Sequence, residues 1–213
     1  MASSEMWNAF QLFKNGFSSS MHYPSGSLKS DLRMIQKLIL KHADLDAKGL
    51  KKFLVDRGWV SCPHQGFHSH TIISPCGEYV LRIGRLGGNE AYACHAALAM
   101  QEGDNPYYQK VYWHCASLNG KCTYTLMERL YDVEGGENVL HRAEIVRCLP
   151  HGDQSVNYKN IFDSNNSMLR IALQKIESLI EVFGFKSDIS QENIMQREDG
   201  QLVIIDSVYG SIH

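Results

Sequence analysis

At 213 residues, with 44% hydrophobic and 21% charged residues, the chain can bury one sizeable core and is too ordinary in composition for a disordered protein. Its 21 basic and 23 acidic residues leave a formal net charge of -2, so it lacks the basic field that nucleic-acid binding by charge requires. No apolar run reaches the roughly 18 residues of a membrane span, and the first residues show neither the basic start nor the apolar stretch of a secretory signal. The six cysteines (Cys62, Cys76, Cys94, Cys115, Cys122, Cys148) include no C-x-x-C pair and read as reduced, mostly buried thiols of a cytosolic protein.

In chain order, residues 1–26 read as an arm with one short helix over Met6–Phe13, broken by Ser18-Ser19-Ser20 and Pro24-Ser25-Gly26. Leu28, Leu32, Ile35, Leu38 and Ile39 recur at helical steps, which predicts a helix over Ser27–His42 capped by Ser27. Leu50, Phe53 and Leu54 predict a second over Leu45–Arg57, stopped by Gly58. Thr71–Ile73 and Tyr79–Ile83 read as strands of a hairpin turning at Ser74-Pro75-Cys76-Gly77. An alanine-rich helix over Asn89–Gln101 follows, then strands at Lys110–Tyr112 and Thr123–Met127 joined through Asn119-Gly120. Residues 131–166 are polar and irregular, with a helix at about Glu137–Arg147. The broad apolar face from Met168 to Phe183 predicts a helix over Ser167–Phe183 ending at Gly184, and short strands near Asn193–Met195 and at Leu202–Ile205 flank the turn Asp199-Gly200.

The chemistry concentrates near the C-terminal end. Asp188-Ile189-Ser190-Gln191-Glu192-Asn193 forms D-x-x-x-x-N, and Leu202-Val203-Ile204-Ile205-Asp206 sets a second carboxylate at the end of an apolar run. Phosphoryl transfer needs such a set: one carboxylate to orient or deprotonate the attacking hydroxyl, and an amide oxygen with a second carboxylate to hold Mg2+ over the phosphates. With 11 Asp and 11 Asn in the chain, the bare spacing would arise by chance in roughly three of a hundred such sequences.

This stretch resembles the catalytic and metal-binding loops of the protein-kinase-like superfamily. The resemblance implies an α+β, compact two-lobe fold: a helical N-terminal extension (1–58), an N-lobe with an antiparallel sheet (59–130) and an abbreviated C-lobe (131–213). It makes Asp188 the catalytic Asp, and Asn193 and Asp206 the Mg2+ ligands. Gly66, Phe67 and Ser69 would lie in the loop over the phosphates, Arg82 would face the phosphates of ATP, and Glu90 would be its acidic partner. The stretch Leu126-Met127-Glu128-Arg129-Leu130 resembles the hinge that takes adenine, which gives Glu128 and Leu130 a place there. L-K-x-x-L-x-x-x-G from Leu50, Val80-Leu81-Arg82-Ile83-Gly84, Asn193-Ile194-Met195 and Ile204-Ile205-Asp206-Ser207-Val208 together are similar to the early serine/threonine protein kinases of short-tailed lytic bacteriophages. That family implies transfer of the ATP γ-phosphoryl to host bacterial proteins in the host cytoplasm, including the transcription machinery; by charge and hydropathy neither nucleic acid nor membrane is an expected partner.

The pattern is broken in three places. Arg82 stands where a lysine is expected, and a planar guanidinium does not replace a compact ammonium at a phosphate site. Lys186-Ser187 stand in place of His-Arg, and Asp206 is followed by Ser207-Val208. Seven residues follow Asp206, so an activation segment is not expected. These departures keep a second possibility open, a pseudokinase or nucleotide-binding inhibitor of a host protein; a small-molecule phosphotransferase shares the same Asp/Asn/Asp logic. Two further motifs carry candidate chemistry. Cys62, His64, His68 and His70 mix zinc-ligand types without paired finger spacing, and Cys94-His95 lies on a helix face that favours a packed thiol over a nucleophile.

Overall fold

The computed structural model describes residues 17–18, 26–41, 46–62, 69–85, 90–116, 122–148 and 166–210. Within them the chain is α+β, with five α-helices, a six-stranded sheet and two small strand pairs, all antiparallel. The helix expected at Met6–Phe13, the turn at Asn119-Gly120 and residues 149–165 lie outside the described residues. The chain packs as two compact units, one drawn from 17–85 and 111–129, the other from 90–110 and 130–210.

The first unit is a sheet with two helices on one face. Its strands are β1 (Phe17–Ser18), β2 (Val60–Ser61), β3 (Ser69–Ile73), β4 (Tyr79–Arg85), β5 (Val111–Ala116) and β6 (Cys122–Glu128), ordered β1-β5-β6-β4-β3-β2. Strand alternation sends Tyr79, Leu81 and Ile83 of β4 and Tyr124 and Leu126 of β6 to one face. There they form a single core with Leu28, Leu32 and Ile35 of α1 (Gly26–Lys41) and Ala47, Leu50 and Leu54 of α2 (Ala47–Val55). A register irregularity between Val111 and Trp113 lets two successive residues, Tyr112 and Trp113, join that core. Truncating a side chain as enclosed as Leu54 or Ile83 costs about 2–5 kcal/mol in such surroundings.

Helix ends follow local chemistry. The Asp46 side chain accepts from Gly49 N–H at 2.8 Å and caps α2, one residue beyond the start expected at Leu45. The helix ends at Val55 with Asp56 as its C-cap, two residues short of the expected Arg57, and Gly58 at φ +87° closes the turn that follows. Ser27 is not the cap of α1. The helix begins at Gly26, so Ser27 falls inside the first turn.

The second unit holds α3 (Glu90–Gln101), α4 (Gly136–Cys148) and α5 (Ser167–Phe183) around short strands: β7 (Lys186–Ser187), β8 (Ile194–Gln196), β9 (Leu202–Ile204) and β10 (Val208–Tyr209). Asn166 caps α5 through Leu169 N–H, and Gly184, at φ +70°, closes it. Helices α3 and α5 pack on each other and on β10, α4 on a 3-10 turn at Gln191–Asn193. The Arg197 guanidinium donates to the carbonyls of Pro106 (2.7 Å) and Tyr108 (2.9 Å), and the Tyr108 hydroxyl donates to Ala172 O at 2.9 Å. The segment after α3 is thereby fastened to the β8–β9 hairpin and to α5.

One polar contact ties α1 to the sheet. The hydroxyl of Tyr79, buried on β4, donates to the Asp31 carboxylate of α1, while Trp59 lies edge-on to the same ring at 5.9 Å. Burial and the Asp31 carboxylate both push the Tyr79 hydroxyl far above its ordinary value, so it stays a donor at every accessible pH. Removing it in Tyr79→Phe leaves the ring packing intact and takes away a hydrogen bond to a charged group. The expected loss is about 1.5–3 kcal/mol, read as a lower urea midpoint with an unchanged slope.

Candidate functional site

The residues around Asp206 form a junction of backbone hydrogen bonds. Strand β7 pairs with β10 (Ser187 opposite Val208), and β8 pairs with β9 (Ile194 opposite Ile204). Beyond these ladders, Asp188 N–H donates to Ser207 C=O at 2.9 Å, and Ile205 N–H donates to Asn193 C=O at 3.0 Å. Asp206 is the residue between Ile205 and Ser207. Its two chain neighbours are therefore bonded to Asn193 on one side and to Asp188 on the other. Three residues scattered over nineteen positions of sequence meet in one loop junction.

Side-chain geometry sharpens the junction. Asn193 Nδ2 donates to the backbone carbonyl of Asp188 at 2.7 Å. A carbonyl oxygen can only accept, so the amide nitrogen must face it, and Asn193 Oδ1 is left as the acceptor. The 3-10 turn at Gln191–Asn193 delivers the amide; Ile189, fully buried two residues earlier, anchors the loop from beneath. Asp188, Asn193 and Asp206 are each half-buried, and Asp206 Oδ1 is shielded from solvent.

The donor types suit a hard divalent cation. A carboxylate and an amide oxygen are the oxygen ligands Mg2+ takes, with waters and phosphate oxygens completing its shell. No group of three or more His, Cys, Asp and Glu side chains able to hold a metal occurs among the described residues.

The remaining sequence candidates fall elsewhere. Gly66 and Phe67 lie outside the described residues, as do His64 and His68. Ser69 opens β3 opposite Gly84 and is buried, and Glu128 closes β6 opposite Tyr79, also buried. Arg82 is central in β4, paired with Thr71 on β3 and Thr125 on β6, on the face opposite the core cluster. These three belong to the sheet unit, whereas Glu90, Leu130, Asp188, Asn193 and Asp206 belong to the other. Glu90 sits in the first turn of α3. Burial, and after it the Glu90 carboxylate, pushes the Cys94 thiol up to about 12, so Cys94 is a packed thiol and no nucleophile. Leu130 is buried beside the Tyr131–Gln196 bridge, whose two backbone hydrogen bonds measure 2.8 and 2.9 Å.

Two polar contacts are not among the sequence candidates. His95 on α3 lies 2.7 Å through Nδ1 from Ser207 Oγ, both residues being buried. The hint was there: an imidazole inside an alanine-rich helix must find a partner when that helix is buried on all sides. In the sheet unit, His114 on β5 lies 2.7 Å through Nδ1 from Thr125 Oγ1. Thr125 is in register with Arg82, so Thr71, Arg82, Thr125 and His114 make one row across four strands.

Against protein-family models the chain finds no match, and it finds none among curated proteins.

Burial, and after it the positive charge of Arg82, holds His114 down at about 3. Above pH 6.5 the ring is neutral in both folded and unfolded chains. Below it the unfolded ring takes a proton that the folded ring refuses until about pH 3, so stability falls as pH drops through that window. In urea titrations between pH 6 and 4, His114→Asn should flatten the decline by as much as about 1.4 kcal/mol per pH unit. An unchanged slope in the variant would place a protonated His114 in the native sheet.

Proposed function

We propose that the chain is a protein-kinase-like phosphotransferase, moving the γ-phosphoryl of ATP to a Ser or Thr hydroxyl of a protein. The observation that carries this is the junction at Asp206, which ties Asp188 and Asn193 by backbone bonds to either side of a third oxygen-bearing side chain. The α+β content with its antiparallel sheet and the order of motifs along the chain support the reading; α3, which carries Glu90, belongs to the helix-rich unit and not to the sheet unit.

In this mechanism Asp188 accepts a hydrogen bond from the substrate hydroxyl and takes its proton as the oxygen attacks. The new bond forms between that oxygen and the γ-phosphorus; the bond from the γ-phosphorus to the β–γ bridging oxygen breaks, and ADP leaves with the electron pair. Asn193, through Oδ1, and Asp206 would hold Mg2+, which supplies positive charge against the developing phosphate charge. Asn193 has a second task, because its Nδ2 fixes the backbone of the residue that acts as base. Arg82, Ser69 and Glu128 enter through their place in the motif order, with Arg82 as the cation for the phosphates. A phage-type kinase acting on host bacterial proteins is the family this order favours.

Arg82 in place of lysine favours a second possibility, binding of nucleotide or of a host protein without transfer. The two separate in one experiment. Purified protein is incubated with γ-labelled ATP, Mg2+ and bacterial lysate; labelled protein bands are expected. Asp206→Ala and Asp188→Asn should each reduce the label by a factor of about 100 or more. Labelled metabolites without labelled proteins would indicate a small-molecule substrate, and an absence of transfer alongside captured protein would indicate a binder. Undiminished labelling by Asp206→Ala would remove that residue from the mechanism.

A further inference from the structure

Ser207 is held from two directions. Its carbonyl accepts the Asp188 N–H at 2.9 Å, and its hydroxyl lies 2.7 Å from His95 Nδ1. Ser207 is fully enclosed and His95 nearly so, at 0% and 2% exposure, which leaves water no access to compete for that hydrogen bond. The imidazole is itself fixed on α3. Tyr108 meets it edge-on at 6.2 Å, Tyr92 stands at 6.3 Å, and Tyr108 is anchored through its hydroxyl to Ala172 of α5. A rigid path therefore runs from the α3–α5 pair through His95 to the residue immediately after Asp206.

We propose that His95 is a positioning residue: through Ser207 it sets the loop that aims Asp206 and, by the Ser207 carbonyl, Asp188. The proposal rests on the phosphotransferase reading of the junction, since aim matters only if these carboxylates act on a common centre. The residue after Asp206 is a serine, and its hydroxyl meets His95 Nδ1 in a buried hydrogen bond. Such a bond is directional, so it fixes the orientation of the loop as well as filling space. Displacement of α3 along its own axis would pull on Ser207, so the helix and the junction are expected to move as one piece.

The test compares wild type with Ser207→Ala, His95→Ala and His95→Asn in the full chain, the last placing an amide near the position of Nδ1. The first readout is hydrogen exchange at the Asp188 amide. Loss of one enclosed hydrogen bond should speed exchange there about tenfold in both alanine variants, with the α5 amides of Leu173 and Ile176 unchanged and His95→Asn close to wild type. Unchanged exchange at Asp188 overturns the proposal. The second readout is the Mg2+ concentration giving half-maximal transfer, expected to rise about tenfold in the alanine variants while the KM for the protein substrate stays. Faster exchange with an unmoved Mg2+ requirement reduces His95 to a structural role and likewise overturns it.

Titration with Mn2+ and ATP separates this failure from failure of the parent reading. A wild-type chain that transfers nothing, yet binds Mn·ATP about tenfold more tightly than His95→Ala, loses the kinase assignment and keeps the positioning role. A wild-type chain that transfers phosphate but shows no difference from the variants keeps the assignment and loses the role. Wild-type protein that neither transfers phosphate nor binds Mn2+ overturns both.

Discussion

The backbone bonds from Asp188 to Ser207 and from Ile205 to Asn193 are the constraint on which the C-terminal part of the chain depends. They belong to no long ladder. Each stands at the end of a strand pair only two or three residues long, and such pairs have little stability alone. Four apolar anchors compensate: Ile189, Ile194, Ile204 and Val208 are all buried within two residues of a junction bond. Polar side chains can then project from a loop whose backbone has little freedom. An arrangement meant to hold charge at fixed positions needs that, because reorganising a loose loop would cost as much as the charges return.

The same principle operates in the sheet unit with different chemistry. Its core face is sealed by α1 and α2 and stitched by Tyr79 to Asp31. Its other face carries the row Thr71, Arg82, Thr125 and His114. Enclosure, and after it the Arg82 guanidinium, keeps the imidazole neutral, and Thr125 bonds it. Protonating it would set two positive charges in one row.

Much of this was legible in the sequence, and the exceptions have physical reasons. Helix α5 runs over Ser167–Phe183 as its apolar period indicated, because Asn166 and Gly184 mark its ends and its face is broad. Strand β5 continues to Ala116 where alternation suggested a stop at Tyr112. His114 and Cys115 look like the start of a loop until Thr125 and Tyr124 are known to lie opposite them. Strands β7 and β10, two residues each, are too short for any period to register. The spacing of Asp188, Asn193 and Asp206 picked out residue types suited to one task. That their backbones are cross-bonded depends on how two short strand pairs end, and that Ser207 answers to His95 depends on a contact across more than a hundred residues of sequence, neither of which a local pattern encodes.

The order in which strands enter the sheet bears on how the protein is made. The central strand β6 lies between β4 and β5, yet in sequence it follows α3, which belongs to the other unit. As the chain leaves the ribosome, β4 emerges with one edge unsatisfied and must wait through some forty further residues for its neighbour. During that interval a nascent chain presents an open strand carrying Val80, Leu81 and Ile83, a template for pairing with other polypeptides. The sheet therefore cannot close until β6 has followed β4 out of the ribosome.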